Sequence, residues 1–301
     1  MKTSPLIFVW PGHEPLGRTL AADLPGEVVA LERRQFPDGE TYLRVPVDCT
    51  GRQCVVLVSL DRPDAKAVPV MLLAETLRDL GAASVGLLSP YLAYMRQDRR
   101  FHSGEAVTSR YFGKFLSARF DWLVTVDPHL HRYASLNEIF TIPSRVVHAA
   151  GVIASWIASH VEKPVLIGPD SESEQWVTDV ARRAGAPHVV LQKSRHGDRD
   201  VEVSVPQVER WRDYRPVLVD DIVSTARTMI ETVKHLKRAD LLPPVCVGVH
   251  AVFAGDAYAD LLRAGAARIV TTNTIPHDSN ALDIGPETVA AVRELLAGVN
   301  R

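Results

Sequence analysis

Apolar runs, mostly four to six residues long, recur along this chain, with helical spacing between many of them. The runs predict strands at 6–10, 28–31, 42–45, 54–60, 85–88 and 122–126, and again at 165–167, 189–191, 201–205, 217–219, 245–249 and 268–272. Apolar positions recurring at helical spacing predict helices over 65–80, 107–118, 146–160, 174–184, 225–238 and 286–297. Such alternation points to an α/β protein with mainly parallel sheets covered on both faces. A weak internal echo accompanies it. Leu87–Tyr91 is followed by Val124–His129, and Leu166–Asp170 by Leu218–Asp221, each time a strand ending in a proline loop and then one ending in acid. The expectation is two similar halves, 1–147 and 148–301, with no low-complexity linker between them.

Composition narrows the class. At 301 residues the chain can build two sizeable cores, and 46% hydrophobic against 23% charged residues is ordinary for a soluble enzyme. With 34 basic and 36 acidic residues, nothing marks a nucleic-acid or membrane-surface partner. Cys49, Cys54 and Cys246 have no metal spacing, which favours a reducing compartment. The run 6–10 is stopped by Pro11-Gly12 and is too short for a signal core or a membrane span, so a cytoplasmic protein is expected.

Ligands of open α/β sheets bind at the carboxyl ends of the strands, so the chemistry is sought there. The fullest signal is Val217–Ile230. A short apolar strand leads into Asp220 and Asp221, then into Ser224, Thr225, Ala226, Arg227 and Thr228, and then into a helix. Unpaired N–H groups at that helix start, beside hydroxyls, suit a phosphate, and the two carboxylates suit sugar hydroxyls, directly or through a metal. The plainer alternative is that Ser224 or Thr225 caps the helix and the aspartates are solvated.

Five other loops carry two readings each. In Phe36-Pro-Asp38-Gly-Glu40, turn chemistry competes with a ring for a base to stack on and two acids on one side of an extended chain. In 91–100, a solvated charge run competes with a polyphosphate site built on Arg96 and Gln97 beside Tyr91 and Tyr94. His129 and His131 are metal ligands or plain loop residues. Asp170 opens an acidic run, Ser171-Glu172-Ser173-Glu174. There Ser171 or Ser173 would cap the next helix and the glutamates would favour its first turn, or else the run holds Mg2+. Lys193 and Arg195 stand two apart in a charged loop and share a face if the chain is extended, or else they belong to a solvated basic hairpin.

Taken together, these motifs resemble, over nearly the full length and in order, those of the ribose-phosphate diphosphokinase family. The segment 100–109 is more similar to the shorter archaeal-type members. Thr272-Asn-Thr-Ile-Pro276 resembles a strand-end motif near the family's C-terminus. The resemblance implies two tandem phosphoribosyltransferase type I-like domains, with ATP on the first and ribose 5-phosphate on the second. It implies that Phe36, Asp38, Glu40, Arg96, Gln97 and Asp98 bind ATP and that Asp220, Asp221 and 224–228 bind ribose 5-phosphate. It also implies Lys193 and Arg195 as catalytic cations, and Mg2+ held through His129 and Asp170. The reaction would move the diphosphoryl group of ATP to the C1 hydroxyl of the sugar, in a homo-oligomer, a dimer or larger, whose 36–40 hairpin completes a neighbour's ATP site. Two departures stand out. The run 171–174 replaces the small residues usual after the metal aspartate, and Arg227 stands where a glycine is usual. A phosphoribosyltransferase and a non-catalytic regulatory relative are the alternatives.

Overall fold

The computed structural model describes residues 4–130, 132–168, 174–196, 200–204 and 208–298. The chain divides into two compact units, 1–148 with 285–301, and 149–284.

In the first unit, strands β1 (Leu6–Val9), β2 (Glu27–Val29), β5 (Gln53–Leu57), β6 (Ser84–Ser89), β7 (Trp122–Val126) and β8 (Ser144–Val147) form one parallel sheet. Its spatial order is β2-β1-β5-β6-β7-β8. Strands β3 (Glu32–Gln35) and β4 (Thr41–Arg44) form a separate antiparallel hairpin. Helices α1 (Glu14–Asp23), α2 (Ala67–Asp79) and α3 (Thr108–Ser117) complete the series up to β8. Every residue of β6 and β7 is buried, the signature of a parallel sheet covered on both faces. Gly86 pairs in register with Trp122, and a Cβ at Gly86 would lie 1.9 Å from the indole. The glycine is there because the ring occupies its side-chain space.

The second unit opens with α4 (Ala150–His160). It continues through β9 (Pro164–Gly168), α5 (Glu174–Ala184), β10 (His188–Val190), the antiparallel pair β11 (Gln192–His196) and β12 (Asp200–Ser204), and β13 (Arg215–Ile222). Then come α6 (Arg227–Arg238), β14 (Val245–His250), α7 (Ala257–Ala264), β15 (Arg268–Thr272) and β16 (Asn280–Leu282). The order of its parallel sheet is β10-β9-β13-β14-β15-β16. Strand for strand this is the order of the first sheet, and an antiparallel pair follows the second strand in each. The repeat is therefore topological. The sequence echo matched Leu87–Tyr91 on β6 with Leu166–Asp170 at β9, which are not equivalent strands.

Helix α8 (Gly285–Gly298) follows β16 but packs in the first unit, against α1, β7 and β8. Val289, Val292 and Leu295 are buried, Gln53 Nε2 donates to Leu296 O at 3.0 Å, and Arg293 donates to Asp23 O at 2.9 Å. The expected second half, 148–301, thus gives up its last helix to the first. A further difference lies at 146. The helix expected from there begins at Ala150, because Val146 and Val147 pair with Thr125 and Val126 and end the first sheet.

Candidate functional site

The carboxyl end of β13 carries the acidic pair. Pro216–Val219 are buried, and Asp220 and Asp221 are half-buried just before the strand's last residue, Ile222. Each carboxylate accepts the next residue's backbone N–H, Asp221 N–H on Asp220 at 3.0 Å and Ile222 N–H on Asp221 at 2.8 Å, which fixes how the side chains leave the strand. The following loop is fastened to the end of β14. Val223 N–H donates to His250 O, Phe253 N–H to Val223 O and Ala254 N–H to Ser224 O, at 2.9–3.1 Å.

The helix expected from 225 begins two residues later. Ala226 takes a left-handed conformation, φ 52° and ψ 12°, and α6 starts at Arg227. Neither Ser224 nor Thr225 caps it: the junction has no side-chain cap, and the first helical bond is Ile230 N–H to Ala226 O at 2.8 Å. The opening N–H groups of α6 thus end the loop in an uncapped positive pole, the local chemistry of an anion site. The backbone turn that favours glycine falls on Ala226, so Arg227, for all its size, sits in ordinary helical geometry.

In the first unit the loop after β6 is held tightly. Arg96 is exposed, Gln97 half-buried and Asp98 buried. The Asp98 side chain is 2% exposed, and both its oxygens accept from Arg132 Nη1, at 3.1 and 3.0 Å. Tyr133 Oη donates to Asp98 O, and Ser109 N–H to Gln97 O. Of the three ATP residues expected in this loop, Asp98 therefore has its carboxylate engaged within the protein.

Residues 36–40 close the β3–β4 hairpin. Phe36 N–H donates to Glu40 O at 2.8 Å, Gly39 N–H to Phe36 O at 2.9 Å, and Gly39 has φ 96°. The segment is a turn, so the alternation expected to put Asp38 and Glu40 on one side does not apply. Asp38 instead accepts Glu40 N–H at 3.2 Å. Phe36 is 38% exposed, and the Arg34 guanidinium lies 4.6 Å from its ring and 4.4 Å from Tyr42.

His129, φ 57°, is half-buried just past β7. Two residues before it, Asp127 accepts from His148 Nδ1 at 2.9 Å. Among the described residues no three His, Cys, Asp or Glu side chains gather as a metal site. Asp170, the run 171–173 and His131 lie outside the described residues, whereas Glu174 does stand in the first turn of α5. Lys193 and Arg195 occupy alternate positions on β11, opposite Val203 and Val201, so the stretch is extended as expected.

One cluster was not anticipated. At the carboxyl ends of β1 and β5, His13 Nε2 accepts Ser59 N–H at 3.2 Å, and Lys66 Nζ binds both Ser59 O, at 2.8 Å, and Asp61. Ser59 Oγ accepts Tyr91 N–H at 3.1 Å, and Tyr94 Oη bonds Asp64. Burial first, and then Lys66, pushes the His13 imidazole down to about 4. The only sequence trace of the cluster was a serine interrupting the apolar run 54–60.

Two family models match the chain. The model for the N-terminal domain of ribose phosphate pyrophosphokinase matches residues 6–119, and that for the phosphoribosyl transferase domain matches 135–299. Ribose-phosphate pyrophosphokinase of Methanopyrus kandleri is 34% identical over 284 residues, covering 93% of this chain and 96% of its own. The chain belongs to the ribose-phosphate pyrophosphokinase family. Another family member, from Sulfurisphaera tokodaii, is 32% identical over 273 residues, covering 89% and 92%. The crystal structure of phosphoribosylpyrophosphate synthetase from Mycobacterium smegmatis superposes with a TM-score of 0.84 over 98% of this chain and 99% of that one. At 23% identity that likeness is one of fold. Among the described residues no helix is long and apolar enough to cross a membrane.

Proposed function

We infer that the protein transfers the diphosphoryl group of ATP to the C1 hydroxyl of ribose 5-phosphate, giving phosphoribosyl pyrophosphate and AMP. The observation that carries this is the uncapped start of α6 behind Asp220 and Asp221, in a chain that family models match in both its parts. The N–H groups and hydroxyls of 224–228 receive the 5-phosphate, and the two carboxylates take the ribose hydroxyls. Arg96 and Gln97 bind the ATP phosphates, and Asp98 shapes their loop through Arg132. Phe36, Asp38 and Glu40 serve the base, in a homo-oligomer, a dimer or larger, whose hairpins are shared between neighbours. The exposure of Phe36 and of all four β3 residues supports that use.

Phosphoryl transfer asks for in-line placement and for compensation of charge on the phosphate oxygens. Lys193 and Arg195 supply that charge. Mg2+ fits the donor set as an ion carried mainly by the phosphates of ATP, because His129 is its one protein donor among the described residues and the ion favours oxygen. His129 and Asp170 would hold the ion, which would supply positive charge to the ATP oxygens. The cytoplasm is the compartment this reading assumes.

The test is incubation with ATP, Mg2+ and ribose 5-phosphate. AMP should appear only when the sugar phosphate is present, in equal amount with phosphoribosyl pyrophosphate. Absence of AMP, with ribose 5-phosphate still bound, would mark a non-catalytic relative instead.

A further inference from the structure

We propose that His13 is a positioning residue for ATP, fixing the segment Ser59–Lys66 so that this segment clasps the loop Tyr91–Asp98 at two points. The inference rests on the reading of Arg96 and Gln97 as ATP residues. No sequence motif includes His13, and among the described residues its hydrogen bonds go to Ser59, Trp10 and Gly17, none of them assigned to substrate.

The chain of contacts is short and buried. His13 is 3% exposed and Ser59 fully buried. His13 stands at the junction of β1 and α1, where the chain turns, and it makes no cap to its own helix. Its Nε2 accepts the Ser59 amide, so the ring is neutral and carries its proton on Nδ1. With the amide held by His13, the Ser59 hydroxyl accepts Tyr91 N–H and the Ser59 carbonyl accepts Lys66 Nζ. Tyr91 O in turn accepts Leu60 N–H at 2.9 Å and the Ser89 hydroxyl at 2.7 Å. This is the first clasp.

The second lies three residues further along. Tyr94 has φ 64°, a left-handed conformation that an aromatic residue adopts only when its surroundings impose it. Its hydroxyl bonds Asp64, and its ring packs 4.8 Å from Phe112. Asp64 belongs to the same segment, two residues before Lys66. Tyr94 comes just before Met95-Arg96, so its backbone sets where Arg96 leaves the loop. A buried amide deprived of its acceptor must shift to find another, and here such a shift reaches both clasps.

Position is what makes the role specific. The segment Ser59–Lys66 and the loop Tyr91–Asp98 both follow strands of the first sheet at their carboxyl ends, while Asp220–Thr228 lies in the second unit. Loosening the clasps should therefore act on ATP and spare the sugar phosphate. A purely structural role would lower stability and weaken both substrates alike.

His13→Ala and His13→Gln, with Ser59→Ala and Arg96→Ala, decide it. The KM for ATP comes from initial rates, and the Kd for ribose 5-phosphate from calorimetry without nucleotide. His13→Ala should raise the ATP KM about tenfold or more and leave the ribose 5-phosphate Kd within about twofold. His13→Gln, whose Oε1 can accept the Ser59 amide, should return the ATP KM to within about threefold of wild type. An unchanged ATP KM in folded His13→Ala overturns the proposal, as does an equal loss for both substrates. If His13→Ala does not fold, Ser59→Ala carries the test through the same two constants: a selective rise for ATP supports it and no change overturns it. Arg96→Ala keeps the two readings apart. A normal ATP KM there refutes the assignment of Arg96, whereas a raised one beside a normal His13→Ala refutes the positioning role alone.

Discussion

Asp98→Asn separates a carboxylate that binds substrate from one that holds the protein together. Both oxygens face one guanidinium nitrogen at 3.1 and 3.0 Å, with the Asp98 side chain 2% and the Arg132 side chain 35% exposed. Opposite charges about 3 Å apart attract by roughly 5 kcal/mol at an effective dielectric of 20, before either pays for leaving water. Asparagine keeps one accepting oxygen but turns an N–H donor toward Arg132. Hydrogen bonds to charged groups contribute about 1.5–3 kcal/mol net, so a loss of about 2–3 kcal/mol is expected. In a unit of this size that is a fall in Tm of roughly 4–12 °C, read by calorimetry or circular dichroism. The backbone bonds from Tyr133 to Asp98 O and from Ser109 to Gln97 O survive, so the ATP KM should rise only about threefold. The opposite pattern, an unchanged Tm with an ATP KM raised about a hundredfold, would show that the carboxylate meets substrate and that the pairing with Arg132 is incidental.

Lys193→Ala should lower kcat by about two orders of magnitude, because a cation acting in the transition state contributes about 3 kcal/mol there and little to ground-state binding. Turnover above about a tenth of wild type would remove Lys193 from the mechanism. Gly86→Ala should cost about 3 kcal/mol or more, since its Cβ would lie 1.9, 2.0 and 2.4 Å from ring atoms of the fully buried Trp122; a Tm shift under about 3 °C would count against it. His13, lowered from 6.5 to about 4, binds a proton in the unfolded chain before it does in the folded one. Its contribution is therefore complete above about pH 6.5 and is lost as the pH falls toward 4, by up to about 3 kcal/mol. Urea midpoints of wild type and His13→Gln should converge over that window, and parallel curves would contradict the burial argument.

The central parallel strands β5, β6, β7, β9, β13, β14 and β15 were legible because they are largely buried and read as apolar runs. The partly exposed edge strands β8 and β16 were not. The elements that escaped have no such signature. All four residues of β3, Glu-Arg-Arg-Gln, are exposed, and β3 exists only by pairing with β4. Helix α1 buries only Leu16, Gly17 and Leu20, too few for a clear period, and α7 is eight residues long. The Asp220–Thr228 stretch was legible because its chemistry is local, a strand end followed by a helix start. The partner of Asp98 was not, since Arg132 lies 34 residues away and nothing in either segment announces the pairing. Nor could sequence assign the left-handed turn to Ala226, because alanine carries no mark of it.

The excursion of α8 has a consequence for the order in which the molecule is made. Each parallel sheet ends in a strand followed by a helix that belongs to the other unit: α4 after β8, and α8 after β16. For the second unit this costs nothing, because α4 leaves the ribosome just ahead of β9 and the unit is contiguous. The first unit is different. It emerges first and then waits, at about 5–20 residues per second, for the whole of 149–284 before the helix that covers α1, β7 and β8 exists. The half synthesised first is therefore the half completed last. A fragment ending at His148 would expose the apolar surface under Val289, Val292 and Leu295, whereas one running from Ala149 to Ile284 would lack nothing of its own unit.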